Sequence, residues 1–125
     1  MGDYFYYSHA ICYEGCKDKR LPNSCKALYG GKVIDIKMDD YLKGVVAAEM
    51  PVSFPEEALK AQAVAARTYT KKKMISPKAN GHMGADVCSD PSHCKAYKPF
   101  DEWAKGASAE NQKKILRAVS ETDGE

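Results

Sequence analysis

The sequence predicts an α+β fold: a small mixed domain with a short sheet and a central alanine-rich helix. Two observations carry this. Lys32 to Met38 alternates, with Val33, Ile34 and Ile36 set among Lys and Asp, which is the pattern of a half-buried strand. Two consecutive helical patterns then follow, separated by Pro51 and Pro55.

Residues 1–31 form a segment of different character that we leave unassigned, and residues 32–125 form the domain proper. The first segment holds Tyr4, Tyr6, Tyr7 and Tyr13 together with Cys12, Cys16 and Cys25, and it is punctuated by Gly15, Pro22 and Gly30-Gly31. It reads as a short strand followed by an irregular excursion that cross-links could hold. The C-x3-C-x8-C spacing lacks a fourth ligand, so a disulfide or chance explains it better than a metal does.

The first helix follows the alternating strand. Asp39 or Asp40 is expected to cap it, and Leu42, Val45 and Val46 recur on one face at helical spacing. Pro51 stops it, because the residue before proline avoids helical angles. Glu49 is the next residue on the apolar face.

The second helix is expected to begin at Ser53, where Ser53 and Glu56 have the spacing of a capping box. Its run Ala58 to Arg67 has high helix propensity and a small surface, which suits a packed central position. Lys71, Lys72 and Lys73 complement the dipole at its C-terminal end. Residues 76–100 then read as a long loop with Pro77, Gly81, Gly84, Pro91 and Pro99, and such a loop needs something to hold it. A last helix is expected from Ser108 to about Ser120, burying Ile115, Leu116 and Val119. Asp123-Gly124 is a turn signal that ordinarily introduces a strand, so the sequence reads as continuing.

The chain has 125 residues, which allows one domain. Lys+Arg number 19 against Asp+Glu 17, a net charge of +2, which disfavours a dedicated nucleic-acid binder. No apolar run is long enough to span a membrane, and no signal peptide pattern opens the chain.

Three groups of residues could carry chemistry. Glu49 shares a face with buried apolar residues, and burial would raise its pKa toward that of a proton donor at neutral pH. The plainer reading is a rim carboxylate paired with a base such as Arg67. Arg67 stands out in an alanine-rich helix: it could clamp an anionic group or orient Glu49, or simply snorkel to the surface. Tyr69 has the same ambiguity between a binding role and a core role.

The third group is His82, Cys88, His93 and Cys94, two imidazoles and two thiols within thirteen residues. That is the ligand count of a closed tetrahedral zinc site, and zinc would hold the long loop in shape. Asp90-Pro91 could supply the tight turn that adjacent ligands need. A Cys88–Cys94 disulfide, or a pair of free thiols, is the alternative. No zinc-deaminase or zincin motif is present.

Three stretches resemble the stage II sporulation protein D family and its amidase-enhancer relatives. They are Asp40 to Pro51 (DYLKGVVAAEMP), Phe54 to Tyr69 (FPEEALKAQAVAARTY) and Asp86 to Tyr97 (DVCSDPSHCKAY). The similarity runs collinearly from about residue 32 to residue 122, so the chain resembles the N-terminal part of that family's domain.

The resemblance implies a lytic transglycosylase. It would cleave peptidoglycan glycan strands already stripped of stem peptides, leaving 1,6-anhydro-N-acetylmuramic acid ends, during engulfment in sporulation. It places Glu49 and Arg67 at catalytic positions, Tyr69 and Tyr97 at substrate-binding positions, and His82, Cys88, His93 and Cys94 at a structural zinc site. The implied partners are glycan strands and an amidase of the engulfment machinery. The implied location is extracytoplasmic, at the cell wall or forespore septum, and the family's membrane anchor is not in this chain. The alternative is a non-catalytic wall-binding or amidase-enhancing module with the same fold. Lys95 stands where the family usually has glutamine.

Overall fold

A computed structural model describes residues 23–78 and 81–123. Cys12 and Cys16 lie outside the described residues, as does most of the tyrosine-rich segment. Among the described residues three strands and four helices follow in order: β1 (Ser24–Tyr29), β2 (Lys32–Lys37), α1 (Met38–Glu49), α2 (Glu56–Met74), β3 (Val87–Cys88), α3 (Phe100–Ala104) and α4 (Ala109–Ser120). The fold is α+β, as the sequence predicts.

β1 and β2 form an antiparallel hairpin in which Tyr29 faces Lys32 across the turn. Gly30 and Gly31 both have positive φ, 61° and 80°, which the tight two-residue hairpin turn requires. β3 joins the other edge of β1 in parallel, pairing Ala27 with Val87 and Leu28 with Cys88, so the strand order is β2-β1-β3. The strand expected ahead of the excursion lies outside the described residues, β1 occupies the end of that first segment, and the long loop carries a short strand that its proline and glycine content concealed. Cys25 and Ala27 face the core from β1. β2 keeps Ile34 and Ile36 half-buried and leaves its charged residues exposed, as its alternation requires.

α1 starts two or three residues earlier than expected, with Lys37 rather than Asp39 or Asp40 at the capping position and no side-chain cap. Its first amide is satisfied differently: Met38 N–H donates to the Asn23 carbonyl at 2.6 Å. Asp39 and Asp40 fall in the first turn, where their charge favours the helix dipole. Leu42, Val45 and Val46 are fully buried, as the spacing predicts.

The Ser53–Glu56 capping box does not form. Pro55 occupies the capping position of α2 in extended geometry, and Phe54 N–H closes a turn onto the Pro51 carbonyl at 3.1 Å. Ser53 is thus held outside the helix, and the Glu56 carboxylate instead accepts from Arg117 Nε of α4 at 2.9 Å. Within α2, Leu59, Ala63 and Ala66 are fully buried. The small residues let α2 pack against both α1 and α4, the central position expected of it.

α3 is a five-residue helix that the sequence did not predict, with Phe100 and Trp103 packing ring against ring and onto the core. One helical turn is too short to establish a periodicity. α4 begins where expected, with the Ser108 side chain accepting the Asn111 N–H at 3.1 Å. It buries Ile115, Ala118 and Val119. Leu116 is 36% exposed, contrary to expectation, because it lies about 100° around the helix from Ile115, off the buried stripe.

Candidate functional site

His82, Cys88, His93 and Cys94 converge, and their four candidate donor atoms lie within 4.8 Å of one another. His82 Nε2 lies 3.1 Å from His93 Nδ1 and 3.5 Å from Cys94 Sγ. His93 Nδ1 lies 3.4 Å from Cys88 Sγ and 3.8 Å from Cys94 Sγ. Zinc–nitrogen and zinc–sulfur bonds of ordinary length imply donor separations of about 3.3–3.8 Å in a tetrahedron. The four separations from 3.1 to 3.8 Å are close to these values, and the two imidazoles and two thiols are a donor set that suits a four-coordinate metal ion such as zinc.

Local backbone features deliver each donor. Gly81, Met83 and Gly84 have positive φ, and Ala85 N–H donates to the His82 carbonyl at 2.9 Å, closing a tight turn around His82. The His82 ring is 1% exposed, and its Nδ1 lies 3.2 Å from the Ala85 carbonyl oxygen. Donation from Nδ1 to that carbonyl fixes the tautomer and leaves Nε2 free to ligate. Cys88 comes from β3. The turn expected at Asp90-Pro91 is present: the Asp90 carboxylate accepts from Ser92 N–H at 2.9 Å and Ser92 Oγ at 2.7 Å, and its carbonyl accepts from His93 and Cys94 N–H. The Ser92 hydrogen bonds hold the Asp90 carboxyl below the usual range.

Cys88 and Cys94 are free thiols, so the disulfide alternative is not formed; Cys25 is free as well. Burial pushes the Cys88 thiol up, and Cys94 adds to the shift. Tyr69 stands beside this cluster, with its hydroxyl donating to the His93 carbonyl at 3.3 Å. Burial raises its pKa, followed by its hydrogen bond with Cys94. Tyr41 is fully buried, and among the described residues its hydroxyl has no hydrogen-bond partner.

Glu49 ends α1 and is half-buried rather than buried. Its Oε2 accepts the Ala96 N–H at 2.6 Å. Among the described residues no side-chain hydrogen bond engages Oε1. Ala96 is two residues beyond Cys94, so the segment that leaves the metal-type cluster reaches the carboxylate directly.

Arg67 does not pair with Glu49, and it does not snorkel. It is 2% exposed, and its Nη1 donates to the Thr122 carbonyl at 2.8 Å. Nη2 donates to the Val119 carbonyl at 3.3 Å and lies 3.6 Å from Asp39 Oδ1. Asp39 and Glu49 occupy opposite ends of α1, separated by about 15 Å of helix rise. Tyr97 is 8% exposed, stacked on Tyr41 at 5.3 Å and edge-on to Tyr29 at 5.2 Å, so its ring lies within the core. Burial pushes its pKa up to about 12.

Sequence reasoning missed Ala96, because a backbone amide leaves no compositional mark. It also missed Gly44, although a glycine inside a helix is a signal in itself.

The sequence profile of the stage II sporulation protein family matches residues 30–125. The chain belongs to that family. It is 41% identical over 96 residues to stage II sporulation protein D of Bacillus amyloliquefaciens, covering 74% of this chain and 28% of that protein. Against stage II sporulation protein D of Bacillus subtilis it is 42% identical over 95 residues, again 74% of this chain and 28% of the relative. A shorter stretch of 37 residues is 60% identical to an uncharacterized protein of Brachyspira hyodysenteriae, covering 30% of this chain and 10% of that one. The chain thus spans about 28% of the length of the sporulation proteins it matches. Among the described residues of this family member, no helix is long and apolar enough to cross a membrane.

Proposed function

We propose that this chain is the part of a peptidoglycan lytic transglycosylase that carries its general acid, Glu49. The observation that supports this reading best is the Glu49 carboxylate itself. One oxygen is fixed by the Ala96 N–H and the other is left for proton transfer. Family membership supplies the sporulation context.

The reaction needs few protein groups. Protonated Glu49 gives its proton to the glycosidic oxygen as the bond to C1 breaks. The 6-hydroxyl of the same N-acetylmuramic acid residue forms the new bond to C1, and Glu49 takes the hydroxyl proton. The products are a glycan chain with a free hydroxyl and a 1,6-anhydro end, and no water is consumed. Glycoside hydrolases, by contrast, ordinarily use two carboxylates flanking the bond. Internal attack by a sugar hydroxyl makes the second one dispensable, and holding it close to C1 supplies most of the advantage.

In this reading His82, Cys88, His93 and Cys94 hold a structural zinc ion, whose four positions are all filled by protein and which cross-links the 81–98 segment. Arg67 contributes by fastening the end of α4 to the start of α1 rather than by touching substrate. Tyr69 supports the metal loop through His93. The substrate is glycan stripped of stem peptides by a partner amidase, at the cell wall outside the cytoplasm.

Incubation of the chain and its Glu49→Gln variant with amidase-treated glycan strands tests this. Soluble fragments are expected from the parent and not from the variant. Equal fragment release by both proteins would remove Glu49 as the acid, and binding to the strands without cleavage by either would favour a non-catalytic wall-binding or amidase-enhancing module.

A further inference from the structure

From Cys94 to Lys98 the chain lies along α1 as a strap, and three contacts fix it there. Ala96 N–H donates to Glu49 Oε2 at 2.6 Å. The Tyr97 ring stacks on Tyr41. Lys98 N–H donates to the Gly44 carbonyl at 3.4 Å. Gly44 makes this approach possible: a Cβ there would lie 2.4 Å from the Tyr97 ring and 2.5 Å from the Lys98 carbonyl oxygen. Glycine inside a helix costs about 1 kcal/mol relative to alanine, so its presence in the middle of α1 reflects the need for contact. The upstream end of the strap is Cys94, a member of the metal-type cluster. Only Lys95 separates that donor from the amide that holds Glu49.

We propose that this strap is the positioning device of Glu49. Metal bound by the cluster fixes Cys94. Cys94 in turn keeps the Ala96 N–H against Glu49 Oε2, and Gly44 seats the strap on α1. The proposal rests on the reading of Glu49 as the acid and of the cluster as a zinc site. It gives the zinc a task beyond cross-linking, because zinc occupancy then sets whether the acid is held in place. The physical reason is the narrow tolerance of proton transfer. The donor must be held to within a fraction of an ångström, and an N–H···O bond does so for one oxygen of the carboxyl group while leaving the other free. Gly44 and Ala96 are positioning residues here, acting only through Glu49.

Backbone amide NMR on the zinc-loaded chain tests the coupling without reading activity. In the loaded parent the Ala96 amide is expected to exchange with solvent at least about tenfold more slowly than after chelation. Glu49→Gln is expected to shift the Ala96 resonance in the loaded protein and to leave it unmoved in the chelated one. Zinc binding that shifts the His82 and His93 resonances but leaves Ala96 exchange unchanged would overturn the proposal, and so would a chain that binds no zinc. Gly44→Ala supplies a second arm. It is expected to retain zinc stoichiometry, lose the slow Ala96 exchange and reduce kcat about tenfold or more with KM little changed. Normal kcat and normal Ala96 exchange in that variant would contradict the strap. If Gly44→Ala loses its helical circular dichroism, the zinc dependence of Ala96 exchange in the parent decides alone. An inactive parent whose Ala96 amide still follows zinc would remove the catalytic reading and leave the coupling intact.

Discussion

Arg67 Nη1 donates to the carbonyl oxygen of Thr122 at 2.8 Å, joining residues 55 positions apart in the sequence. The same guanidinium reaches Val119 on α4 and Asp39 at the start of α1. A single buried side chain on α2 thereby ties together the two helices that flank it. Its planar fork suits several acceptors at fixed angles, which a lysine ammonium cannot match.

Arg67→Ala is therefore expected to destabilise the fold by about 2–3 kcal/mol, since it leaves buried carbonyls without donors. Arg67→Lys should recover only part of this. Urea unfolding followed by circular dichroism measures both. Activity lost from Arg67→Ala without any loss of stability would return Arg67 to direct contact with substrate.

Tyr69→Phe separates two roles for that residue. If its hydroxyl supports His93, zinc affinity falls about tenfold, the usual effect of removing a partner that orients a ligand. KM for glycan then stays the same. Competition against a chromogenic chelator reads the first quantity and steady-state kinetics the second. An unchanged zinc affinity with a raised KM would make Tyr69 a substrate contact instead.

Chelation of zinc should lower Tm and expose the 81–98 segment to proteolysis before the helices are lost, because metal binding supplies folding free energy to the residues it cross-links. Cys94→Ser should reproduce this in the presence of zinc. A chelated chain with unchanged Tm and protease resistance would show that the hydrogen bonds around Asp90 suffice to hold the loop.

Burial pushes the Cys25 thiol from its ordinary 9.0 up to about 12, and the Tyr97 hydroxyl from 10.0 up to about 12. Both groups stay protonated in the fold at a pH where the unfolded chain has already released the proton. The unfolded state therefore binds fewer protons, and stability falls as pH rises from about 9 toward 12, by about 1.4 kcal/mol per pH unit for each fully titrating group. Denaturant midpoints measured from pH 8 to pH 11 should decline accordingly. Cys25→Ala should flatten the early part of that decline, and a flat profile in the parent would contradict the burial of both groups.

Periodic elements were legible in the sequence and contact-dependent ones were not. The face of Leu42, Val45 and Val46 announces α1, and Ser108 announces the start of α4. The capping box at Ser53 failed because Pro55 sets the chain extended just before the helix and Arg117 draws Glu56 away. β3 consists of two residues and exists because β1 offers it an edge, which no local pattern records. At the site, the four donors could be named from residue type and spacing, while exclusion of the disulfide required geometry. The partners of Arg67 lie on distant elements, so its position between α1 and α4 could not be read from its own helix.

The most direct test of the central claim is mass spectrometry of the ends produced when the chain acts on amidase-stripped glycan. 1,6-Anhydro-N-acetylmuramic acid ends, lighter by one water than hydrolytic ends, are expected from the parent and none from Glu49→Gln. Hydrolytic ends from the parent, or anhydro ends that persist in Glu49→Gln, would contradict that claim.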